Sequence, residues 1–577
     1  MKLVWKFLKP YKKMIVFVLI VMVLDVAGGL LIPTITAEII NYGIGEGNLQ
    51  YIINQGVFML AVALLTSFCG LTGSFLCADF AAKIARDIRN AIYDKSLTLS
   101  SADIETIGTD SMITRTLSDV NVVQQTVTML IQMVLPVPAV CIMGIVMAFL
   151  IDRTMGLILT AVTIAILLMA VFVIKYASSL FEKHQRFLDR MNVVIRENLT
   201  GARVVRAFNK EEDEEERMRA SFENYAEVAI KANRLFAGLE SIALLIMNII
   251  IVVILFIGGN RIGSGFIKVG DITALTGYSV MILFYVLMAQ LALVMLPRSL
   301  VCVRRIGEVL VFQPEIKDGS KNNIPSKTVP DVVRFQDVDF RFTDADEETL
   351  RALNFTCRRG QTTAIIGSTG SGKSTIAKLM LRFMDVTGGA ILLNGVDIGS
   401  ITQTELRNHI SYVPQKAWLF SGTIADNLRH GNANATKEEM QHALAVAQAG
   451  FVNELPDGIG SRVAQGGTNL SGGQKQRLSI ARAILKKSDL YIFDDSFSAL
   501  DFKTDAALRN ALSKEMQQSA VLIIAQRIST ILNADQIIVL EDGKIAGIGT
   551  HRFLIENCSV YRDIAKSQMK GDDPYER

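Results

Sequence analysis

Gly367-Ser368-Thr369-Gly370-Ser371-Gly372-Lys373-Ser374, followed by Thr375, fits the P-loop pattern G-x-x-x-x-G-K-[ST]. Ala364-Ile365-Ile366 before it reads as a short buried strand, and Ile376-Ala377-Lys378-Leu379-Met380 after it as the start of a helix. That context is what a phosphate requires. Glycines let backbone N–H groups turn toward an anion, and the helix N-terminus adds partial positive charge. Lys373 is placed to reach terminal phosphates and the Ser374 hydroxyl to ligate Mg²⁺.

Downstream, Leu490-Tyr491-Ile492-Phe493-Asp494 is an apolar strand ending in a carboxylate, the form of a Walker B strand, and Asp494 at its tip is a second Mg²⁺ candidate. Between the two lies Leu470-Ser471-Gly472-Gly473-Gln474, opening a run of good helix formers up to Leu485. It is a second anion-binding element at a helix N-terminus. One nucleotide does not need two such elements from one chain, so this one reads as serving a nucleotide bound to another subunit. From about residue 331 short strands alternate with helical segments, as in an α/β domain.

The chain upstream differs in kind. Of 577 residues, 50% are hydrophobic and 20% charged, and most of the apolar residues precede position 310. Long apolar stretches run near 14–42, 53–80, 127–151, 154–178, 235–262 and 272–303. Each supplies the roughly 20 residues a membrane-spanning helix needs. The first continues past the short apolar core of a signal peptide and has no clear cleavage site, so it reads as a retained helix. Lys2, Lys6, Lys9, Lys12 and Lys13 precede it, the 81–115 and 175–234 connections are basic, and the segment around Gly43–Gln50 has no Lys or Arg. The positive-inside rule then predicts six spans in a cell membrane with both termini and the α/β domain cytoplasmic. The resulting expectation is a membrane domain over 1–312, a polar linker over 313–330 and an ATP-binding domain over 331–577.

Asp25 lies near mid-membrane, where an ionised carboxylate costs several kcal/mol unless paired or wetted. Two roles fit it: facing a substrate cavity, or a structural hydrogen bond to a neighbouring helix. Pro33, Pro136, Pro138 and Pro297 mark kinks or helix ends. The acidic run Glu211–Glu216 reads as a solvated helix face. Six scattered cysteines form neither a disulfide framework nor a zinc site, and five histidines have no metal-ligand spacing. A net charge of +3 gives no reason to expect a nucleic-acid partner.

Leu470–Gln474 resembles the signature motif of ATP-binding cassette (ABC) proteins. Six spans followed by one cassette resembles an ABC exporter half-transporter of the type I fold, along essentially the whole chain. The resemblance implies that Phe342 stacks on adenine and that Gln415, in Tyr412-Val413-Pro414-Gln415, touches both Mg²⁺ and the membrane domain. It makes Ser498-Ala499-Leu500-Asp501 the D-loop, and places the segments at 111–119 and 197–208 around two coupling helices. ATP and Mg²⁺ are the implied cofactors, with an amphipathic small molecule or drug as substrate and membrane lipid as the surroundings.

Two positions depart from the family pattern. After the Walker B aspartate the family usually carries a catalytic glutamate; here stands Asp495, one methylene shorter. A retreat of about 1 Å can cost on the order of 10²-fold in rate. The switch histidine after the strand Val521–Ala525 is replaced by Gln526, which can hydrogen-bond but cannot exchange a proton. Both changes fall in the site built on this chain's own P-loop, while its signature motif is intact. That asymmetry resembles the degenerate-site subunit of heterodimeric bacterial multidrug exporters, in which a second half-transporter carries the competent site. A lipid or peptide exporter, or an ATP-gated channel or sensor subunit, are the alternative readings; six spans exclude a soluble ATPase acting on nucleic acid.

Overall fold

The computed structural model describes residues 2–324, 329–343 and 345–568, so residues 325–328 of the expected linker lie outside the described residues. The chain divides into two compact units, one of residues 1–98 with 107–313 and one of residues 99–106 with 314–577.

The first unit is helical. Lys12–Glu38 (α1) and Leu49–Thr98 (α2) are followed by the short helix Ser101–Ile107 (α3), which belongs to the second unit up to Thr106. Then come the composite helix Thr109–Ile151 (α4), Arg153–Ala207 (α5), Glu211–Gly263 (α6) and Val269–Val311 (α7). Trp5–Ile44, Leu49–Thr98, Thr109–Ile151, Leu244–Gly263 and Val269–Val311 are each long and apolar enough to cross a membrane. The apolar stretch Arg153–Met169 opens the remaining long helix, α5. In hydrocarbon only a helix satisfies every backbone group internally, which is why continuous apolar runs give uninterrupted helices here.

Pro33 and Pro297 sit inside α1 and α7, and Pro136 opens the last α-helical segment of α4. That segment follows one of three π-helical turns, at Ile39–Ile44, Arg115–Asp119 and Leu130–Val134. The π turn at Arg115–Asp119 carries the buried carboxylate of Asp119 and a small set of charged contacts around it. Asp119 pairs with Arg305 at 3.4 Å, and Arg115 donates to the Arg305 carbonyl at 2.9 Å and pairs with Glu308 at 3.3 Å. Elsewhere Asp152 accepts from the Thr154 and Met155 amides, capping α5, and also pairs with Arg261 near the end of α6. Asn41, in the π turn after α1, bridges to α7, donating to Asp271 at 2.9 Å and accepting from the Gly270 amide at 2.7 Å. A Cβ on Gly270 would stand 2.3 Å from the Ala37 carbonyl oxygen, so only glycine permits this approach.

The cassette begins with Asp331–Phe340 (β1), Leu350–Arg358 (β2) and Thr362–Gly367 (β3), then Lys373–Met380 (α8). Gly388–Leu393 (β4), Val396–Asp397 (β5), Ile410–Val413 (β6), Gly472–Leu485 (α9) and Leu490–Asp494 (β7) follow. The chain continues through Phe502–Glu515 (α10), Ala520–Ile524 (β8), Ile528–Ile531 (α11), Gln536–Glu541 (β9), Lys544–Gly549 (β10), His551–Asn557 (α12) and Ser559–Gln568 (α13). One sheet has the order β2-β1-β4-β5 and the central one β10-β9-β3-β8-β7-β6. In the central sheet β9, β3, β8, β7 and β6 run parallel. Their near-continuous apolar sequences suit strands covered on both faces.

At the N-terminal edge of that sheet a polar cluster closes the cassette around Asp489, which is 3% exposed. His409 Nδ1 lies 2.7 Å from its carboxylate, Arg359 donates at 3.0 Å and Asn394 at 3.2 Å. The His409 contact, with Arg359 and Asn394 behind it, holds the Asp489 carboxyl well below the usual carboxylate range despite burial. The same contact pushes His409 up, with Glu405 adding to it. The stabilisation tied to His409 is therefore complete below its ordinary value of about 6.5 and is lost as pH rises through the higher folded value. That of Asp489 is complete above about 3.9 and is lost as pH falls. Thermal unfolding of the purified protein is expected to show the cassette less stable at about pH 9 than at about pH 6, with the difference reduced in His409→Gln. Asp489→Asn is expected to cost about 3 kcal/mol by stranding the paired charges. A wild-type-like pH response in His409→Gln would contradict this account.

Candidate functional site

The C-terminal ends of the parallel strands gather the motif residues at one edge of the cassette, where open α/β sheets bind ligands. Gly370 and Gly372 have φ of 87° and 91°, the left-handed region, and turn the loop between β3 and α8. A Cβ on Gly372 would also lie 2.5 Å from Leu350 Cδ2. Ser368, Thr369 and Gly370 are exposed, whereas Ser371, Lys373 and Thr375 are buried. Lys373 Nζ donates to the carbonyls of Gly367 at 2.8 Å and Ser368 at 2.6 Å. Burial pulls its pKa down, opposed by the nearby carboxylates of Asp495 and Asp494.

The strand register brings the acidic tip to this loop. Ile524 pairs with Ile365 on one side and with Asp494 on the other. Ser374 Oγ donates to Asp494 Oδ1 at 3.0 Å, and Tyr412 OH donates to Oδ2 at 3.3 Å. Burial raises the Asp494 carboxyl, partly offset by those two donors. A hydroxyl and a carboxylate oxygen side by side are the hard ligands Mg²⁺ uses, together with phosphate and water oxygens. No group of three or more His, Cys, Asp or Glu side chains suited to a metal occurs among the described residues. Ser374 and Asp494 would hold such an ion with the rest of its shell left to nucleotide and water.

Asp495 has φ of 46°, a left-handed conformation that a short polar residue tolerates. Its carboxylate accepts from Gln415 Nε2 at 3.2 Å, so Gln415 and the residue after the Walker B aspartate meet directly. Gln526 is exposed immediately beyond β8. Phe342, 41% exposed, stands edge-on to Phe340 in the loop whose far end, Thr349 and Leu350, flanks Gly372.

Ser471 caps α9 in a reciprocal box: its hydroxyl accepts from the Gln474 amide at 3.3 Å, and Gln474 Oε1 accepts from the Ser471 amide at 2.9 Å. Nothing lies within 4 Å of a Cβ built on Gly472, while Gly473 abuts the Ala499 carbonyl and Leu470 packs on the core. Asp501 caps α10 through the Thr504 amide at 2.9 Å. Among the described residues no hydrogen bond or ion pair joins 470–474 to 367–375.

Sequence reading passed over two participants. Tyr412 carries no signal in the sequence beyond opening the stretch that ends at Gln415, yet its hydroxyl reaches Asp494. Helix α3, 101–107, lies just ahead of the 111–119 segment and groups with the cassette. Asp103 there accepts from the Ser100 amide at 2.8 Å and the Glu315 amide at 3.5 Å.

A P-loop strand and helix, a strand ending in a buried aspartate one place beyond β8 in the same sheet, and a capped Ser-Gly-Gly helix define a nucleotide-binding ATPase cassette fused to a helical membrane unit. The family profile for the ABC transporter transmembrane region matches residues 15–287, and that for the ABC transporter cassette matches residues 350–498. An ABC transporter ATP-binding protein of Mycobacterium tuberculosis (strain CDC 1551 / Oshkosh) is 37% identical over 566 residues, 97% of each chain. A Bacillus subtilis (strain 168) protein whose name describes multidrug export is 28% identical over 98% of each chain. The solved structure of a bacterial Atm1-family ABC exporter with ATP bound has a TM-score of 0.81 and 25% identity, covering 98% of this chain and 99% of that one. The chain belongs to the ABC transporter family, as an exporter half-transporter with membrane domain and ATPase cassette on one polypeptide.

Lys373→Ala is expected to weaken binding of a fluorescent ATP analogue by about tenfold or more, the loss of a charge-assisted contact. Gly372→Val is expected to weaken it as well, and also to lower the unfolding temperature, because both φ and Leu350 oppose a side chain. Unchanged affinity in Lys373→Ala would remove this loop from the nucleotide site.

Proposed function

We propose that this chain is one subunit of a heterodimeric exporter of amphipathic small molecules, holding ATP at a degenerate site and completing its partner's competent site with Ser471–Gln474. The observation that carries this reading is the pairing of Asp495 with Gln415 in a site whose switch residue is Gln526. Asp495 is short for the work of orienting water, its carboxylate is engaged by an amide, and Gln526 has no titratable atom. The signature helix supports the other half of the proposal, since its capping box occupies only the Ser471 and Gln474 amides and its open Gly472 leaves room for a phosphate brought by a second subunit.

In this reading Lys373 and the loop amides of Ser368–Thr375 hold the phosphates, Ser374, Asp494 and Gln415 hold Mg²⁺, and Phe342 stacks on the base. Bound ATP supplies the free energy. Ser471 and Gly472 offer donors where charge develops on the partner's terminal phosphate. The N-terminus, C-terminus and cassette are cytoplasmic. The multidrug-export name of the Bacillus subtilis relative supports the substrate class. Asp25 supports it too: a half-buried carboxylate midway along α1, beside Gly70 of α2, with no hydrogen bond or ion pair among the described residues. A carboxylate in that setting normally faces a wetted cavity.

The chain purified alone is expected to hydrolyse ATP slowly, and the heterodimer quickly and with stimulation by substrate. In the heterodimer Asp495→Ala is expected to reduce turnover only modestly, whereas Gly472→Asp reduces it about 10²–10³-fold. Exporter-like, substrate-stimulated turnover by the chain alone would sink the heterodimer proposal, and stimulation without accumulation against a gradient in vesicles would favour a channel or sensor.

Asp25→Asn is expected to raise the substrate concentration for half-maximal stimulation about fivefold, the scale of one lost polar contact. An unshifted half-point would return Asp25 to a structural role.

A further inference from the structure

The switch segment ends up held from outside by the last described helix. Helix α13 carries Tyr561, Ala565 and Gln568 on one face, at helical spacing. Tyr561 is fully buried, Ala565 is 3% exposed, and both join the core cluster that contains Ile528 and Ile531 of α11. The Tyr561 hydroxyl lies 2.7 Å from His551 Nδ1 and fixes α13 against α12. That anchoring delivers Gln568 to the turn after β8. Its Nε2 donates to the Gln526 carbonyl at 2.7 Å, and its Oε1 accepts from the Ile528 amide at 2.8 Å. One side-chain amide thus pairs with the backbone on both sides of Arg527, as a neighbouring strand would. Helix α11 needs that acceptor, because Arg527 at its N-cap gives no side-chain cap. From the other side Arg509 of α10, itself paired with Asp505 at 3.0 Å, donates to the Thr530 carbonyl at 3.2 Å.

We infer that Gln568 is a positioning residue of the nucleotide site, fixing the backbone of Gln526 so that its side chain meets the terminal phosphate of ATP on this chain's P-loop. The inference rests on the proposed role of Gln526. Gln568 itself touches no reacting atom. A glutamine at the switch position has one amide head with which to reach the phosphate, and its reach depends on where the backbone stands. Both bonds are short, and both come from a side chain with a donor and an acceptor on one rigid plane, which neither Glu nor Ala can reproduce.

The test uses the complete transporter and a photoreactive azido-ATP, reading label retained on this subunit after a chase of unlabelled ATP. Retention is expected to fall about tenfold in Gln568→Ala, the effect of two lost hydrogen bonds. Gln568→Glu is expected to behave like Gln568→Ala, because it keeps an acceptor for Ile528 but sets a carboxylate against the Gln526 carbonyl. Gln526→Ala should match them, and Gln526→Ala combined with Gln568→Ala should lose no more than Gln526→Ala alone, as residues acting through one contact do. Wild-type retention in Gln568→Glu, with loss and a lowered unfolding temperature in Gln568→Ala, would reduce Gln568 to a helix cap and overturn the inference. Loss in Gln526→Ala with full retention in both Gln568 variants would overturn it while sparing the role of Gln526. Full retention in Gln526→Ala would overturn both.

Discussion

The parallel pairing of β3, β8 and β7 is the constraint on which the cassette depends. Ile365, Ile524 and Asp494 stand in one row across three strands, and everything that can meet a nucleotide follows within a few residues of that row. Side chains alternate faces along a strand, so a slip of one residue would turn the Asp494 carboxylate away from Ser374 and carry Asp495 off the edge. The strands resist slipping because a shift would drive the polar ends, Asp489 and Asp494, away from their partners and into a core where β7 and β8 have no exposed residue. The apolar sequence that hides these strands is therefore also what holds two adjacent carboxylates and a lysine in register. At the opposite edge of the same sheet the Asp489 cluster fixes where β7 begins, just as Asp494 marks where it ends.

The membrane unit solves a different problem with fewer polar groups. Several of the polar contacts that join its helices sit at helix ends and at π-helical turns. The turn at Arg115–Asp119 widens α4 where Arg305 and Arg115 cross between α4 and α7. An extra residue in one helical turn leaves an i→i−4 bond unmade, and such insertions occur most often at functional positions. Asp25 stands apart from these contacts as the carboxylate that the interior leaves without a protein partner among the described residues.

What could be read directly from the amino-acid sequence was what is local. The P-loop, the aspartate-tipped strand and the Ser471–Gln474 box each span fewer than ten residues, and their geometry follows from glycine, a capping hydroxyl and an apolar run. The six long helices were legible for the same reason, since twenty apolar residues in a row have few other fates. The contacts that join distant segments carried no such signal. His409 and Asp489 are 80 residues apart, Tyr412 and Asp494 are 82, and Gln568 lies 42 from Gln526. Nothing in a histidine, a tyrosine or a glutamine announces a partner at that range. The π turns were equally hidden, because Leu130–Val134 has the composition of any apolar helix.

Asp152 has a consequence for how the chain is made. Its partner Arg261 lies 109 residues later, and a ribosome adding roughly 5–20 residues per second leaves a gap of roughly 5–20 s before that guanidinium exists. Through that interval the carboxylate would stand at the junction of two apolar helices as an exposed charge. The amides of Thr154 and Met155, made within a second of it, already occupy the same carboxylate. The nascent chain thus carries its own provisional solvation of that charge, and the later arrival of Arg261 closes a hairpin whose first turn was already fixed.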